Sequence, residues 1–526
     1  MEHSVARQIL DTATAGGAGR VFGLPGVHNL AFWRGAPAPV VVRHEQAAVY
    51  AADGWARATG GLGAAVVTTG PGAANAVAAF GEAAAARSPV LLVASEIPQV
   101  LRRPGRVRGV LHESRDQAAL FAPLAKAVFT PRTPAEVAAA VPVAVDTALA
   151  HPRGPVYVDV PADVLARPAA PAPARTPRPT VPGDPTAAAA ILEGARVVLW
   201  AGGDALDVAD EVGALAMHLG APVVASFRGR GVPPAGHPAA VGVPPHEPEA
   251  AELIGSADVL LVVGGDLDGM NTRNWTMPRP PRLVVLDAAA PADPPEWGAD
   301  ATVTGPLDAT IAALRGLLPS REPWAPAGLR ENVLSRLRAD PATAEATALL
   351  DAVESARTVD TVLVCDMAVA GYWVGGYAAA PAPRRLAYPV GWGTLGFGLP
   401  AALGAAAAGH PVIAVCGDGG LMMALGELAT LVQERLPVTV LVVDDGGYGM
   451  LRYDQERAGE PASGVDLVTP DFVALAASFG LAATAVGSVA ELAAPLAAAV
   501  GSRAPHLVHV PARLTPPRTT SPRWHE

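Results

Sequence analysis

Hydrophobic residues in this chain fall in short unbroken runs, separated by Ala-rich stretches of helical length. Residues 64–69, 89–95, 197–200, 259–264, 283–287, 362–365, 412–416 and 438–444 are such runs. They are apolar throughout rather than alternating, which predicts strands covered by helices on both faces of parallel sheets. The pattern breaks twice. Residues 168–186, PAAPAPARTPRPTVPGDPT, predict a semi-extended linker. Around 318–345 the pattern lapses again, with prolines flanking a charged segment. The expected fold is therefore α/β, with three doubly wound parallel-sheet domains at 1–167, 185–318 and 345–511. A proline-rich tail, 512–526, follows.

Length and composition agree with this division. A chain of 526 residues is too long for one compact core, and 51% hydrophobic with 17% charged residues permits extensive burial and excludes global disorder. A net charge of -11 supplies no basic footprint for nucleic acid or an anionic membrane surface. The two cysteines, Cys365 and Cys416, lie in strand-like runs and form neither a disulfide framework nor a thiolate cluster. The opening residues lack the basic and apolar regions of an export signal. Other apolar runs are cut before membrane-spanning length, so the expected location is the cytoplasm.

Chemistry concentrates in residues 411–451, PVIAVCGDGGLMMALGELATLVQERLPVTVLVVDDGGYGML. The segment reads strand, glycine turn, helix, strand. Right-handed crossover places the C-terminal ends of both strands at one sheet edge, so Asp418 and Asp445 face one crevice although 27 positions apart. Carboxylate oxygens suit Mg2+, which completes its shell with phosphate oxygens. Gly419 and Gly420 offer free N–H groups and a helix dipole to an anion. An ordinary βα turn with a surface aspartate is the bland alternative; a second acidic strand end and the GGYG that follows argue against it.

This segment resembles the thiamine diphosphate motif, GDG with a closing Asn pair further along, although Asp444-Asp445 stands where that pair usually is. By the resemblance, Asp418 and Asp445 are side-chain metal ligands and the Gly447 carbonyl is a third. Gly419, Gly420, Tyr448, Gly449 and Met450 then contact the cofactor. A second carboxylate in the pair should grip a cation more strongly and repel a diphosphate more. Residues 39–60, PVVVRHEQAAVYAADGWARATG, resemble the RHEQAA segment of the acetolactate synthase and 2-oxo acid decarboxylase superfamily. That resemblance makes Glu45 the carboxylate that hydrogen-bonds the cofactor's aminopyrimidine and activates it for proton loss. Residues 393–400, GTLGFGLP, match the segment at the cofactor's bend: Leu395 is the expected wedge, and the Gly393 carbonyl the acceptor for the exocyclic amine. FGLPG (22–26), TTGPGAAN (68–75) and GRGVP (229–233) extend the match across the chain in the order pyrimidine-binding, central and diphosphate-binding. In relatives the cofactor bridges the first domain of one subunit and the third of another, which implies a homodimer or homotetramer.

On the substrate side, His28, His112 and Gln117 are the candidate catalytic contacts, with Glu113 beside them. An imidazole near the reacting carbon can shuttle a proton. His44 is expected to orient the glutamate, Lys126 is a candidate for the pocket's mouth, and Arg452 for a substrate carboxylate. The expected activity is a thiamine diphosphate- and Mg2+-dependent decarboxylation or carboligation of a 2-oxo acid. LHES-DQ and the absence of long insertions look most like guanidino-oxopentanoate decarboxylases. The alternative is an acetolactate synthase-like transferase that condenses two 2-oxo acids. FAD is doubtful, because GGDLDGMNTRNW (264–275) stands where a flavin-contacting strand end is expected, and Gly202-Gly203 is only a weak dinucleotide signal. A fold-retaining protein without chemistry would be expected to have lost Glu45 or Asp418, and both are present.

Overall fold

The computed structural model describes residues 3–35, 37–103, 105–171, 181–265, 267–290 and 295–518. The middle of the expected linker (172–180) and the end of the tail (519–526) lie outside the described residues. The described chain forms three parallel sheets. The first runs Val40–Val41, Val21–Gly23, Gly63–Val67, Val90–Glu96, Val156–Pro161, Ala127–Phe129 across the sheet. The middle sheet runs Ala301–Thr304, Arg282–Asp287, Val259–Val263, Val197–Ala201, Val223–Ala225. The third runs Leu386–Ala387, Val362–Cys365, Val412–Gly417, Val438–Asp444, His506–Pro511, Ala482–Ala485.

The first and third sheets share one connectivity, with spatial order 2-1-3-4-6-5 when each sheet's strands are numbered along the chain. Their sequences show no repeat, so the shared order is visible only in the pairing. In such a sheet the crevice opens beyond the strand C-termini, where the order reverses. All eight apolar runs are strands, because helices cover both faces and each strand buries nearly every residue. The short edge strands lack that signature. The lapse at 318–345 is corrected in part: it contains the helix Leu329–Ala339, amphipathic and largely exposed, which buries Val333, Leu334 and Leu337 against the helix Ala344–Ala356.

The first and third domains share one hydrophobic core within the chain, running from Phe22 and Tyr50 through Phe397 and Leu403 to Val440. Its centre is the contact between the helices Glu45–Thr59 and Gly398–Ala407. Their backbones meet at glycines: a Cβ on Gly54 would overlap the Ala401 carbonyl, and one on Gly404 the Ala51 carbonyl. Arg57 is half-buried at this contact, bonding Asp53 at 2.7 Å, Glu82 at 3.0 Å and the Tyr388 carbonyl at 2.9 Å. Gly404→Ala gains roughly 1 kcal/mol of helix propensity, but forcing the helices apart costs about 3 kcal/mol. The expected net is a loss of about 2 kcal/mol, read as a lower urea midpoint; an unchanged midpoint would refute the close packing.

Candidate active site

In the third domain three carboxylates stand at adjoining strand tips. Val362–Cys365 ends in Asp366, Val412–Gly417 in Asp418, and Val438–Asp444 in Asp445. The register Gly417 opposite Val443 brings Asp418 and Asp445 to one crevice, as right-handed crossover requires. Asp418 is 1% exposed, yet its Oδ2 has no hydrogen-bond partner, and neither has the buried Oδ1 of Asp445. A buried unpaired carboxylate oxygen costs free energy unless a cation or donor meets it. Burial, then Asp445 and Asp444, push the Asp418 carboxyl up to about 6. Burial likewise raises that of Asp445, against the pull of Arg452 and Arg513.

The surrounding glycines leave room for a ligand rather than a side chain. A Cβ on Gly419 would stand 2.8 Å from the Tyr448 ring, and one on Gly449 would overlap Asp445 Oδ2. Leu395, Gly420, Gly447 and Met450 join these residues around a cavity of about 140 Å³. Among the described residues no three His, Cys, Asp or Glu side chains cluster to hold a metal ion. Two carboxylates and a backbone carbonyl form a partial shell, the kind Mg2+ completes with phosphate and water oxygens. The residues fit a cation-bridged diphosphate. Asp444, the extra carboxylate of the pair, turns away: it accepts from Gly446 N at 3.0 Å and lies 3.0 Å from His509 Nε2.

Asp366 was not anticipated. It is buried and accepts from Met367 N at 2.8 Å and from Gly396 N at 3.0 Å, immediately after Leu395. Burial pushes its carboxyl up to about 6 despite the N–H groups of Met367, Gly398, Gly396 and Phe397. It fixes the turn in which Gly393 and Gly396 adopt φ +76° and +79°. The signal was present in the sequence: an acid directly after a β-branched run, as at 418 and 445.

The first domain carries the other half. Glu45 opens its helix behind His44, whose Nδ1 accepts from Gln46 N at 3.2 Å and so caps the turn. Glu45 is 7% exposed, and its Oε2 accepts from Asn75 Nδ2 at 3.0 Å, a partner the sequence reading did not single out. A Cβ on Gly72 would sit 3.1 Å from its other oxygen. Further along the same edge, Gly70 (φ +65°) packs against the backbone of His112. The rings of His112 and His28 meet edge to face, 5.5 Å between centroids. His28 Nε2 lies 3.2 Å from the Leu111 carbonyl, and burial chiefly lowers its pKa. His112 holds φ +66° and buries Nδ1 without a partner.

Three expectations change. Gln117 is buried, and its amide is spent on Gly70 N (2.6 Å), the Ser95 carbonyl (3.0 Å) and Tyr157 OH (2.9 Å). It positions the Gly70 turn from below. Lys126 precedes the strand Ala127–Phe129, at the sheet edge opposite Glu45, and its ammonium donates to the Ala150 carbonyl. It does not reach the pocket's mouth. Arg452 is committed to Asp466 at 2.9 Å and to the backbone at 445–446, so it does not wait for a substrate carboxylate.

Among the described residues, the lining of the cavity around Asp418 begins at Met367 and includes no first-domain residue, so Glu45 is not part of it. In the middle domain, Asp204 N donates to the Gly264 carbonyl at 2.9 Å, and a Cβ on Gly202 would overlap Gly265. That glycine turn packs closely on the neighbouring strand end at Gly264–Gly265.

Comparison with known proteins identifies the family. Residues 3–120 match the thiamine pyrophosphate enzyme N-terminal TPP binding domain, 185–314 the central domain and 366–510 the C-terminal TPP binding domain. A protein of Pseudomonas aeruginosa named "Probable 2-ketoarginine decarboxylase AruI" is 33% identical over 94% of this chain and 91% of its own length. The acetolactate synthase isozyme 2 large subunit of Escherichia coli is 29% identical over 96% and 95%. The solved thiamine diphosphate-dependent 4-hydroxybenzoylformate decarboxylase of Rhodococcus jostii RHA1 superposes with a TM-score of 0.82 at 27% identity, covering 97% of this chain and 99% of that one. The chain belongs to the thiamine pyrophosphate enzyme family. Among the described residues no helix is long and apolar enough to cross a membrane.

Proposed function

We propose that the protein decarboxylates a 2-oxo acid with thiamine diphosphate and Mg2+, in a site completed by a second copy of the chain. The observation that carries this reading is the pair of buried carboxylate oxygens on Asp418 and Asp445 that have no hydrogen-bond partner, at neighbouring strand tips. Asp418, Asp445 and the Gly447 carbonyl would hold the cation, with Gly419, Gly420, Tyr448, Gly449 and Met450 around the diphosphate. Leu395 and the Gly393 carbonyl would hold the bend. Bound thiamine diphosphate supplies a carbon nucleophile and an electron sink for the bond to CO2.

Glu45, buried and with one oxygen beside Gly72, would hydrogen-bond the pyrimidine ring nitrogen of the cofactor. The His28–His112 pair lies on the same edge and would hold a proton for return to the product. Apolar Leu395 and Met450 exclude water from the reacting face. A homodimer or homotetramer is the setting this reading requires, since no described first-domain residue lines the cavity at Asp418. Similarity over 96% of the chain to an acetolactate synthase supports the second reading, condensation of two 2-oxo acids.

The test is a panel of 2-oxo acids, pyruvate and 5-guanidino-2-oxopentanoate among them, assayed for CO2 with and without added aldehydes. Aldehyde as the main product supports decarboxylation, and an acetohydroxy acid supports condensation. No cofactor-dependent CO2 from any member would overturn both.

A further inference from the structure

The loop that presents the cation ligands is held by one buried arginine. Arg452 is 8% exposed and lies in the first turn of the helix Gly449–Arg457. Its Nη1 stands 3.4 Å from the Asp445 carbonyl oxygen and 3.8 Å from Asp445 Oδ1, and its Nη2 3.3 Å from the Gly446 carbonyl. Its Nε donates to Asp466 Oδ1 at 2.9 Å. The strap around Asp466 pairs with the same loop: Tyr448 N donates to the Val465 carbonyl and Leu467 N to that of Gly446, each at 2.8 Å. The guanidinium thus has a solvent-side acid at one edge and the cation loop at the other.

Charge decides what it does there. Two carboxylates, Asp418 and Asp445, already neutralise a divalent cation, so an arriving diphosphate meets no net attraction from the three together. Arg513, whose charge also bears on Asp445, and the glycine N–H groups help. Among the described residues, only Arg452 both faces the Asp445 carboxylate and ties the 445–446 backbone.

We propose that Arg452 is the counter-charge that allows a carboxylate at position 445 to share its cation with a diphosphate. It is a positioning residue of the cofactor site. This rests on the cation–diphosphate reading above.

The experiment titrates thiamine diphosphate with Mg2+ into the full chain by calorimetry, in a cycle of Arg452→Gln, Asp445→Asn and the double variant. Arg452→Gln is expected to weaken binding about tenfold or more, but less than about threefold in the Asp445→Asn background. Arg452→Lys, which keeps the charge and loses the fork, should bind within about threefold of native. Should Arg452→Gln not fold, the lysine variant decides alone. Equal losses in both backgrounds, or a lysine variant as weak as a charge-free one, would show that Arg452 only staples the loop and would overturn the inference. Failure of the native chain to bind the cofactor at all would instead overturn the reading beneath it.

Discussion

Asp418→Ala is expected to weaken Mg2+-dependent binding of thiamine diphosphate by at least ~100-fold, or about 2.8 kcal/mol, and to abolish turnover at ordinary cofactor concentrations. Asp418 brings a full negative charge to the cation from a rigid strand tip, and Asp445 and one carbonyl cannot replace it. The same change should leave the ligand-free protein at least as stable as the native one. With no cation bound, Asp418 is a buried acid whose carboxyl is pushed up to about 6, against roughly 3.9 unfolded. An acid raised in the folded state costs stability as pH rises from about 4 to about 6, and the full cost is present above that window. The alanine variant should lose this pH dependence. Calorimetric titration for binding, and thermal melts of metal-free protein between pH 4 and 7 for stability, check both halves. Retained cofactor binding, or a ligand-free variant that collapses, would make Asp418 a structural acid.

Asp418 and Asp445 were legible in the sequence because a parallel βαβ unit fixes where its strands end, whatever the helix between them contains. Glu45 was legible for a related reason, as an acid at a strand-to-helix junction, though its role came from resemblance. What escaped depends on contacts between distant segments. Asn75 reaches Glu45 across 30 residues, and Asp366 reaches Gly396 by the same span. Nothing local marks Arg452 as turned inward; an arginine one turn beyond a glycine loop reads equally well as a substrate clamp. Gln117 was placed near the right turn but with the wrong task, because its three partners come from three strand ends. Lys126 failed for a simpler reason: it starts a strand, and this chemistry gathers where strands finish. The helix pairing through Gly54 and Gly404 was also hidden, since glycine in an Ala-rich helix looks like compositional noise until the facing carbonyl is seen.

That helix pairing bears on the last prediction. It fixes Glu45 to the third domain of its own chain while leaving it outside the lining of the cavity at Asp418, so in the proposed dimer each Glu45 would serve a partner's cation site. Glu45→Gln should keep Mg2+ and cofactor affinity within about threefold, because the amide is isosteric and remote from the diphosphate. Proton exchange at the cofactor's thiazolium carbon, followed by NMR in D2O, should slow about a thousandfold, as should turnover. Mixing this variant with Asp418→Ala gives the decisive result. In a two-fold dimer of the two, one site carries both substitutions and the other carries neither. Random exchange in an equal mixture places about half of the chains in such dimers, so activity should rise from near zero to about a quarter of native. If mixed dimers are verified by mass and activity stays at zero, then Glu45 and Asp418 do not meet across a subunit boundary.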